Sequence, residues 1–152
     1  MSEDEKLKAT KKAMSLLQHN DRTEWELRDK LKRAEFSDEA IDEAIEYVRS
    51  FHYIDDKRYA VRFVEIYHTS RSKKRLWQDL MKRHVPEEYI SLALEQLEDG
   101  DSEALQREIE KLTRYKEELT YEEKQKITAK LYRKGFSVND IRRQLELYFE
   151  ND

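Results

Sequence analysis

The chain has 152 residues, of which 42% are charged and 38% hydrophobic, and a net charge of −4. Its apolar residues are periodic and aromatics make up 11%, which argues against a disordered chain, while the absence of cysteine excludes a disulfide framework and thiol chemistry. The amino terminus, MSEDEKLKATKK, has no apolar signal core, and no run approaches membrane-spanning length, so a cytoplasmic protein is the expectation.

With one proline and two glycines there are almost no breakers, and no segment alternates with period two. The reading is all-α, with about nine helices in three trios. First helices are predicted over Asp4 to His19, Asp55 to Thr69 and Asp101 to Lys116. Second helices start at capping signals. Thr23 with Glu26 and Thr120 with Glu123 are T-x-x-E boxes, in which hydroxyl and carboxylate satisfy orphan N–H groups, and Ser72 is the cap of the middle trio. The third trio's cap lies three residues earlier in register, which predicts a second helix one turn longer. Third helices begin near Ser37, Pro86 and Ser137; proline fits because the first helical turn needs no N–H from it.

The trios are copies of one pattern. LRDKLKRAEFSDEAIDEAIEYV from Leu27, LWQDLMKRHVPEEYISLALEQL from Leu76 and ITAKLYRKGFSVNDIRRQLELY from Ile127 align without a gap. Leu31, Leu80 and Leu131 fall together, as do Ile41, Ile90 and Ile141. A period near fifty residues implies one supersecondary unit in tandem, with boundaries at 1–52, 53–99 and 100–152. Such units stack in an elongated, curved array and share core surface with their neighbours. Gly135 sits at the sharp turn between the second and third helices, where positive φ is natural, so a left-handed or looser turn is predicted at the aligned Glu35 and His84.

At Phe51 to Ala60 the sequence reads FHYIDDKRYA, a hydrophobic-Asp-Asp-x-Arg-aromatic-Ala stretch. It resembles the RecX family, bacterial regulators of the RecA recombinase. LLQHNDRTEWELRDKLKRAEFSDEAIDEAI is similar to that family's amino-terminal L-x-x-R-x-x-S-x-x-E-L-x-x-K-L pattern, with Thr23 where serine is usual. SRSKKRLWQDLMKRHV resembles its basic middle stretch, with Asp79 at the acidic place and His84 where the family has glycine. KITAKLYRKGFSVNDI is similar to its closing K-x-x-x-x-L-x-R-x-G-F pattern. The resemblance covers nearly the whole chain. It implies three tandem three-helix units, no catalytic activity, and a partner in the RecA filament on single-stranded DNA, whose strand exchange, ATP hydrolysis and co-protease action would fall.

The charge distribution points to candidate contacts. From Lys57 to Arg83 there are nine bases against Glu65 and Asp79, and from Glu87 to Glu110 nine acids against Arg107. That asymmetry suits a partner of mixed charge or a phosphate backbone. Arg71, Lys73, Lys74, Arg75, Lys82 and Arg83 are the first candidate surface, weighed against a plain solvated helix face. Arg71 to Lys74 straddle a helix start, where cations are disfavoured and anions welcome. Arg133, Lys134, Arg142 and Arg143 form a second patch. Asp55 and Asp56 read as a helix cap and a residue favoured by the helix dipole rather than a metal pair, with Ile54 stapled on Tyr59. Arg58 either pairs with an acid of the first unit or faces the partner. Tyr53, Tyr59, Tyr67, Tyr132 and Phe149 would serve packing before base stacking, and Trp25 and Trp77 would cover unit boundaries. The four histidines lack H-x-x-x-H spacing, so neither a metal nor another cofactor is expected.

The leading reading is therefore a regulator bound to the RecA filament, monomeric, touching single-stranded DNA through the filament or directly and weakly, with no membrane contact. A stand-alone DNA-binding helical module is the alternative, because short helices with tight turns mimic a helix-turn-helix. Against it, no helix is rich in Arg, Asn and Gln together. A passive helical scaffold is the third reading. An enzyme is least expected, since neither Gly100 nor Gly135 belongs to a phosphate loop and no pattern raises a carboxylate pKa.

Overall fold

The structure, a computed structural model, describes residues 2–97 and 100–149, so the expected unit ends at 98–99 and 150–152 lie outside the described residues. These residues form α1 (Ser2–His19), α2 (Glu24–Arg33), α3 (Asp38–Ser50), α4 (Asp56–Tyr67), α5 (Lys73–Lys82), α6 (Glu87–Glu95), α7 (Ser102–Leu112), α8 (Tyr121–Arg133) and α9 (Val138–Tyr148), and no strand. The fold is all-α, in three three-helix repeats.

The helix starts follow local chemistry. The Thr23 and Thr120 hydroxyls accept from the N–H groups of Glu26 and Glu123, whose carboxylates accept from the cap N–H groups in return. The Ser72 hydroxyl takes the Arg75 N–H at 3.0 Å, and Ser37 and Ser137 cap α3 and α9. Pro86 stands in the equivalent place before α6, just outside the helix, with its carbonyl accepting from Tyr89 and Ile90. As expected, α8 is longer than α2 and α5, 13 residues against 10. By contrast α7 stops at Leu112, short of the expected Lys116. There the buried Thr113 hydroxyl folds back on the Ile109 carbonyl and Tyr115 turns left-handed.

All three aligned turns have positive φ: 69° at Glu35, 59° at His84 and 101° at Gly135. His52 and Tyr115 also adopt it, at 60° and 68°.

By packing, the described chain divides into two compact units. The first takes residues 1–62 and 80–93, the second 63–79 and 94–152. Helices α4, α5 and α6 therefore each give one stretch to each unit. The first unit's core joins Ala9 and Ala13 of α1, Leu27 and Leu31 of α2, Ile41, Ala44, Ile45 and Val48 of α3, and Ile54. Alanines on α1 let α3 approach closely, and this pair makes the most extensive helix contact. The second unit's core joins Leu105 and Ile109 of α7, Ile127 and Leu131 of α8, and Phe136, Ile141 and Leu145. The repeat positions are buried in all three copies at 31, 80 and 131 and at 41, 90 and 141, but at the last position Val48 is buried while Tyr148 is exposed.

Candidate partner-binding surface

In the first compact unit the paired aspartates hold helix starts together. The Asp55 carboxylate accepts the Arg58 N–H at 3.0 Å and so caps α4. The Asp56 carboxylate accepts the N–H of Glu24, the first residue of α2, at 2.9 Å. One aspartate caps its own helix and the next caps the neighbouring one. Burial pushes the Asp56 pKa up, the Glu24 N–H pulls it down, and the Glu24 and Asp55 carboxylates push it up; the net shift is upward. Glu24 moves the other way. Burial raises it, but hydrogen bonds from Arg49 and Arg28 outweigh this and pull it below its ordinary value. Arg28 also reaches Asp42 at 2.8 Å. The open cavity of about 360 Å³ beside these groups is lined by Glu24, Arg49, His52, Asp55, Asp56 and Tyr89. Its charges largely satisfy one another, which suits a helix junction. Arg58 is half-buried beside Asp21 and Tyr59, and no ion pair holds it among the described residues.

The start of α2 also grips the turn of the following copy. The buried Thr23 hydroxyl donates to the Arg83 carbonyl at 2.9 Å, and the Trp25 ring stacks on His84 at 4.0 Å and 12°. Trp25 covers the copy boundary, as expected of it. The Arg83 side chain approaches Glu26 at 3.9 Å.

The second compact unit repeats this grip with other atoms. The Ser72 N–H donates to the Lys134 carbonyl at 3.2 Å, and the Arg75 guanidinium donates to the Arg133 carbonyl. Gly135 lies against them. A Cβ there would meet the Arg75 Cβ at 2.6 Å and the Ser72 Oγ closer still. Glycine is required at this turn by close approach as well as by φ, whereas His84 has room for a ring.

These contacts sort the predicted cations. Arg71 donates to the buried Asp79 at 2.8 Å and lies over the Tyr67 ring at 3.8 Å. Arg75 donates to the other Asp79 oxygen at 2.9 Å. Lys73 gives its Nζ to the Leu97 carbonyl at 3.1 Å and its N–H to Asp101 at 2.9 Å. Lys134 pairs with Glu108, a carboxylate 1% exposed that Lys111 also approaches at 3.3 Å. Four members of the two patches are thus engaged by partners within the chain while staying partly exposed. Lys74 and Lys82, exposed on α5, carry no ion pair among the described residues. Arg133 presents its side chain to solvent, Arg142 bonds Asn139 at 2.6 Å, and Arg143 lies 3.5 Å from Asp140.

The aromatic residues divide as well. Tyr67 lies under Arg71, Phe149 packs on the second core, and Tyr59 is half-buried. Tyr53 is exposed in a row with Phe51 and Tyr47, at ring separations of 5.7 and 4.9 Å. Tyr132 is exposed. Lys126 and Lys130 of α8, not among the residues singled out from sequence, are exposed at i, i+4 spacing, with Arg133 three residues further on. That spacing was the signal available, and three cations on one helical row are visible from it.

Among the described residues no helix is long and apolar enough to cross a membrane, and no cluster of His, Cys, Asp or Glu is arranged to hold a metal ion.

Comparison with known proteins follows the copies. Residues 9–47 match the family described as RecX, first three-helix domain, residues 55–94 the second, and residues 99–145 the third. The chain is 35% identical to Regulatory protein RecX of Caldanaerobacter subterraneus subsp. tengcongensis, over 89% of its own length and 68% of that relative's. It is 32% identical to Regulatory protein RecX of Bacillus licheniformis, over 98% of its own length and 59% of that relative's. The chain thus spans little more than half of some of these longer relatives. The crystal structure of RecX from Lactobacillus salivarius superposes with a TM-score of 0.72 at 27% identity, covering 95% of this chain and 98% of that one.

Proposed function

Since the chain belongs to the RecX family, we propose that it regulates RecA by binding the recombinase filament on single-stranded DNA. It lowers recombinase, ATPase and co-protease activity without a catalytic step of its own. The observation that carries this reading is the continuous similarity to regulatory proteins named RecX through all three helix trios. The three functional units are taken as 1–52, 53–99 and 100–152, in a cytoplasmic monomer.

Among the candidate contacts, the reading places direct charge contact on Lys74 and Lys82 of α5 and on Arg133, Arg142 and Arg143, which present their charge to solvent. Arg71, Lys73, Arg75 and Lys134 shape that surface from within. Exposed cations steer an acidic or phosphate-bearing partner without costing fold stability.

The test is the DNA-dependent ATPase of the host's own RecA on single-stranded DNA, with this protein at substoichiometric ratio. The ATPase rate falls with the wild-type chain. Lys74→Glu with Lys82→Glu weakens that inhibition several-fold, while thermal stability stays near wild type because both side chains are exposed. Equal inhibition by the double variant removes α5 from the contact; no inhibition by excess wild type ends the RecA reading.

A further inference from the structure

The exposed face of α3 is acidic along its length and aromatic at its end. From Asp38 to Val48 the helix carries no base, and its exposed side chains are Asp38, Glu39, Asp42, Glu43, Glu46 and Tyr47. At about 100° per residue Glu39, Glu43, Glu46 and Tyr47 share an arc of about 100°. Buried Ile41, Ala44, Ile45 and Val48 form the opposite side. Ion pairs neutralise the face only in part. Lys6 reaches Glu43 at 2.6 Å, Arg28 reaches Asp42 at 2.8 Å and Arg49 reaches Glu46 at 3.4 Å. No ion pair holds Asp38 or Glu39 among the described residues. The Glu43, Asp42 and Glu46 side chains remain 57%, 67% and 74% exposed. Pairs this exposed are weak, so their carboxylates stay available to a further cation.

Glu39, Glu43, Tyr47 and Phe51 follow one another at i, i+4 spacing, which makes each a neighbour of the next on the helix surface. Beyond Tyr47 the face becomes a row of rings. Phe51 lies 4.9 Å from Tyr47, and Tyr53 lies 5.7 Å from Phe51 at 18°. The turn after α3 builds this row. The Tyr53 N–H reaches the Val48 carbonyl at 2.8 Å and the His52 N–H reaches the Arg49 carbonyl at 3.0 Å, with His52 at φ 60°. This is a Schellman closure, and it sets a left-handed residue between the two stacked rings. Tyr47, Phe51 and Tyr53 are 44%, 54% and 46% exposed. Bases stack on such rings, but the phosphates that carry them would meet carboxylates alongside. A cation suits both parts of the face, since carboxylates accept charge-assisted hydrogen bonds and ring faces attract positive charge. The chain holds one of its own cations in this way. The Arg71 guanidinium lies 3.8 Å over the Tyr67 ring and donates to Asp79 at 2.8 Å. The α3 face presents the same two partners, ring and carboxylate, to solvent.

We propose that the exposed face of α3 and the turn after it dock a basic polypeptide segment of a partner protein. Arginine side chains of that segment lie on the Tyr47, Phe51 and Tyr53 rings and pair with Glu39 and Glu43. From Glu39 to Phe51 the face is about 18 Å long, room for about five extended residues. The inference goes beyond the filament reading. It gives the first copy a protein contact of the opposite charge to the α5 cations, and it does not depend on which protein supplies the segment.

The experiment is fluorescence anisotropy of a short labelled peptide of alternating arginine and glycine, titrated with the full chain across a salt series. The wild type binds it at low salt and more weakly as salt rises, and does not bind the counterpart with glutamate in place of arginine. Tyr47→Ala with Phe51→Ala weakens binding by about fivefold or more and leaves the salt dependence in place. Glu39→Gln with Glu43→Gln weakens it and flattens the salt dependence. Lys74→Glu with Lys82→Glu does not weaken it. Circular dichroism shows both α3 variants folded, since all four substituted side chains are exposed. Absence of wild-type binding at low salt overturns the proposal. So does wild-type affinity in the ring variant, which would leave a surface for any polycation. Weaker binding of labelled oligothymidylate by the ring variant would assign the rings to bases, and self-association in sedimentation that the ring variant abolishes would assign the face to a second copy; either overturns the proposal. The peptide titration contains no RecA, so its failure is distinguishable from failure of the filament reading, which the RecA ATPase decides.

Discussion

Asp56 is a carboxylate held where ionisation is unfavourable. Its folded pKa is raised above its ordinary value of 3.8, chiefly by burial. Between those two values the folded chain holds more proton than the unfolded chain, so stability falls as pH rises through that window. The contribution is fully present below about 3.8 and lost above the raised value. Asp56→Asn keeps an oxygen for the Glu24 N–H and removes the charge. It is expected to match or exceed wild-type stability at neutral pH and to lack the fall, as read by urea unfolding at a series of pH values. An identical pH profile in both proteins would show that Asp56 is not the group responsible. Gly135 is a second residue whose identity is set by its surroundings. Gly135→Ala is expected to cost about 2–4 kcal/mol, from its φ and from the approach of Ser72 and Arg75. His84→Gly loses a ring stack but relieves a left-handed residue, so its stability should stay within about 0.5 kcal/mol of wild type. Similar losses at both sites would refute the distinction. The positive φ of Glu35 and His84 was legible because Gly135 marks the same register. That of His52 and Tyr115 was not, because neither stands opposite Gly135 and nothing in their own chemistry demands it.

Helix boundaries were legible wherever a hydroxyl or carboxylate caps its own helix, as at Thr23, Ser37, Ser72, Asp55, Thr120 and Ser137. They were less so where a cap serves a neighbour. Asp101 stands at the cap of α7 but gives its oxygen to Lys73 at the start of α5, and Asp56 does the same for α2. Such links join residues 28 and 32 positions apart, and no local pattern carries them. The same limit governs α5. Counting charges along the sequence gives an excess of free cations, yet Asp79, one of the two acids in that stretch, engages both Arg71 and Arg75. Its carboxylate is 5% exposed while both guanidinium groups reach solvent. Asp79→Asn should therefore cost about 2–3 kcal/mol, less than breaking a fully buried pair. It should also loosen the start of α5 against the Arg133 carbonyl. Denaturant unfolding measures the loss, and hydrogen exchange at the Ser72 and Arg75 N–H groups locates it. A change under about 0.5 kcal/mol would mean that solvation of the two arginines replaces the pair in full.

Three copies in tandem are visible in the sequence, but their division into two compact units is not. Thr23 reaches Arg83, 60 positions away, and Arg75 reaches Arg133, 58 positions away, so the first unit is closed by a piece of the copy that follows it and the second by a piece of the copy that precedes it. Alignment detects similarity between copies; it carries no record of which copy completes which. This arrangement has a consequence for unfolding. Helices α4, α5 and α6 each begin in one unit and end in the other, and a helix interrupted at its middle loses backbone hydrogen bonds at a fresh end. Of the three only α4 is cut near its middle, and melting one unit alone would leave such an end there, so the two units should melt together. The chain supplies its own reporters, since its two tryptophans, Trp25 and Trp77, fall one in each unit. In urea, Trp77→Phe reads the first unit through Trp25, and Trp25→Phe reads the second through Trp77. Calibrated by circular dichroism on the same variants, the fluorescence and helix transitions should coincide in midpoint and slope. Removal of residues 98–152 takes away the Lys134 carbonyl that receives the Ser72 N–H and the Arg133 carbonyl that receives Arg75. In the shortened chain the Trp77 transition should move to lower urea and drag the Trp25 transition down with it. A Trp25 transition that stays at its full-length midpoint would show that the first unit folds on its own and that helices shared between units transmit no stability.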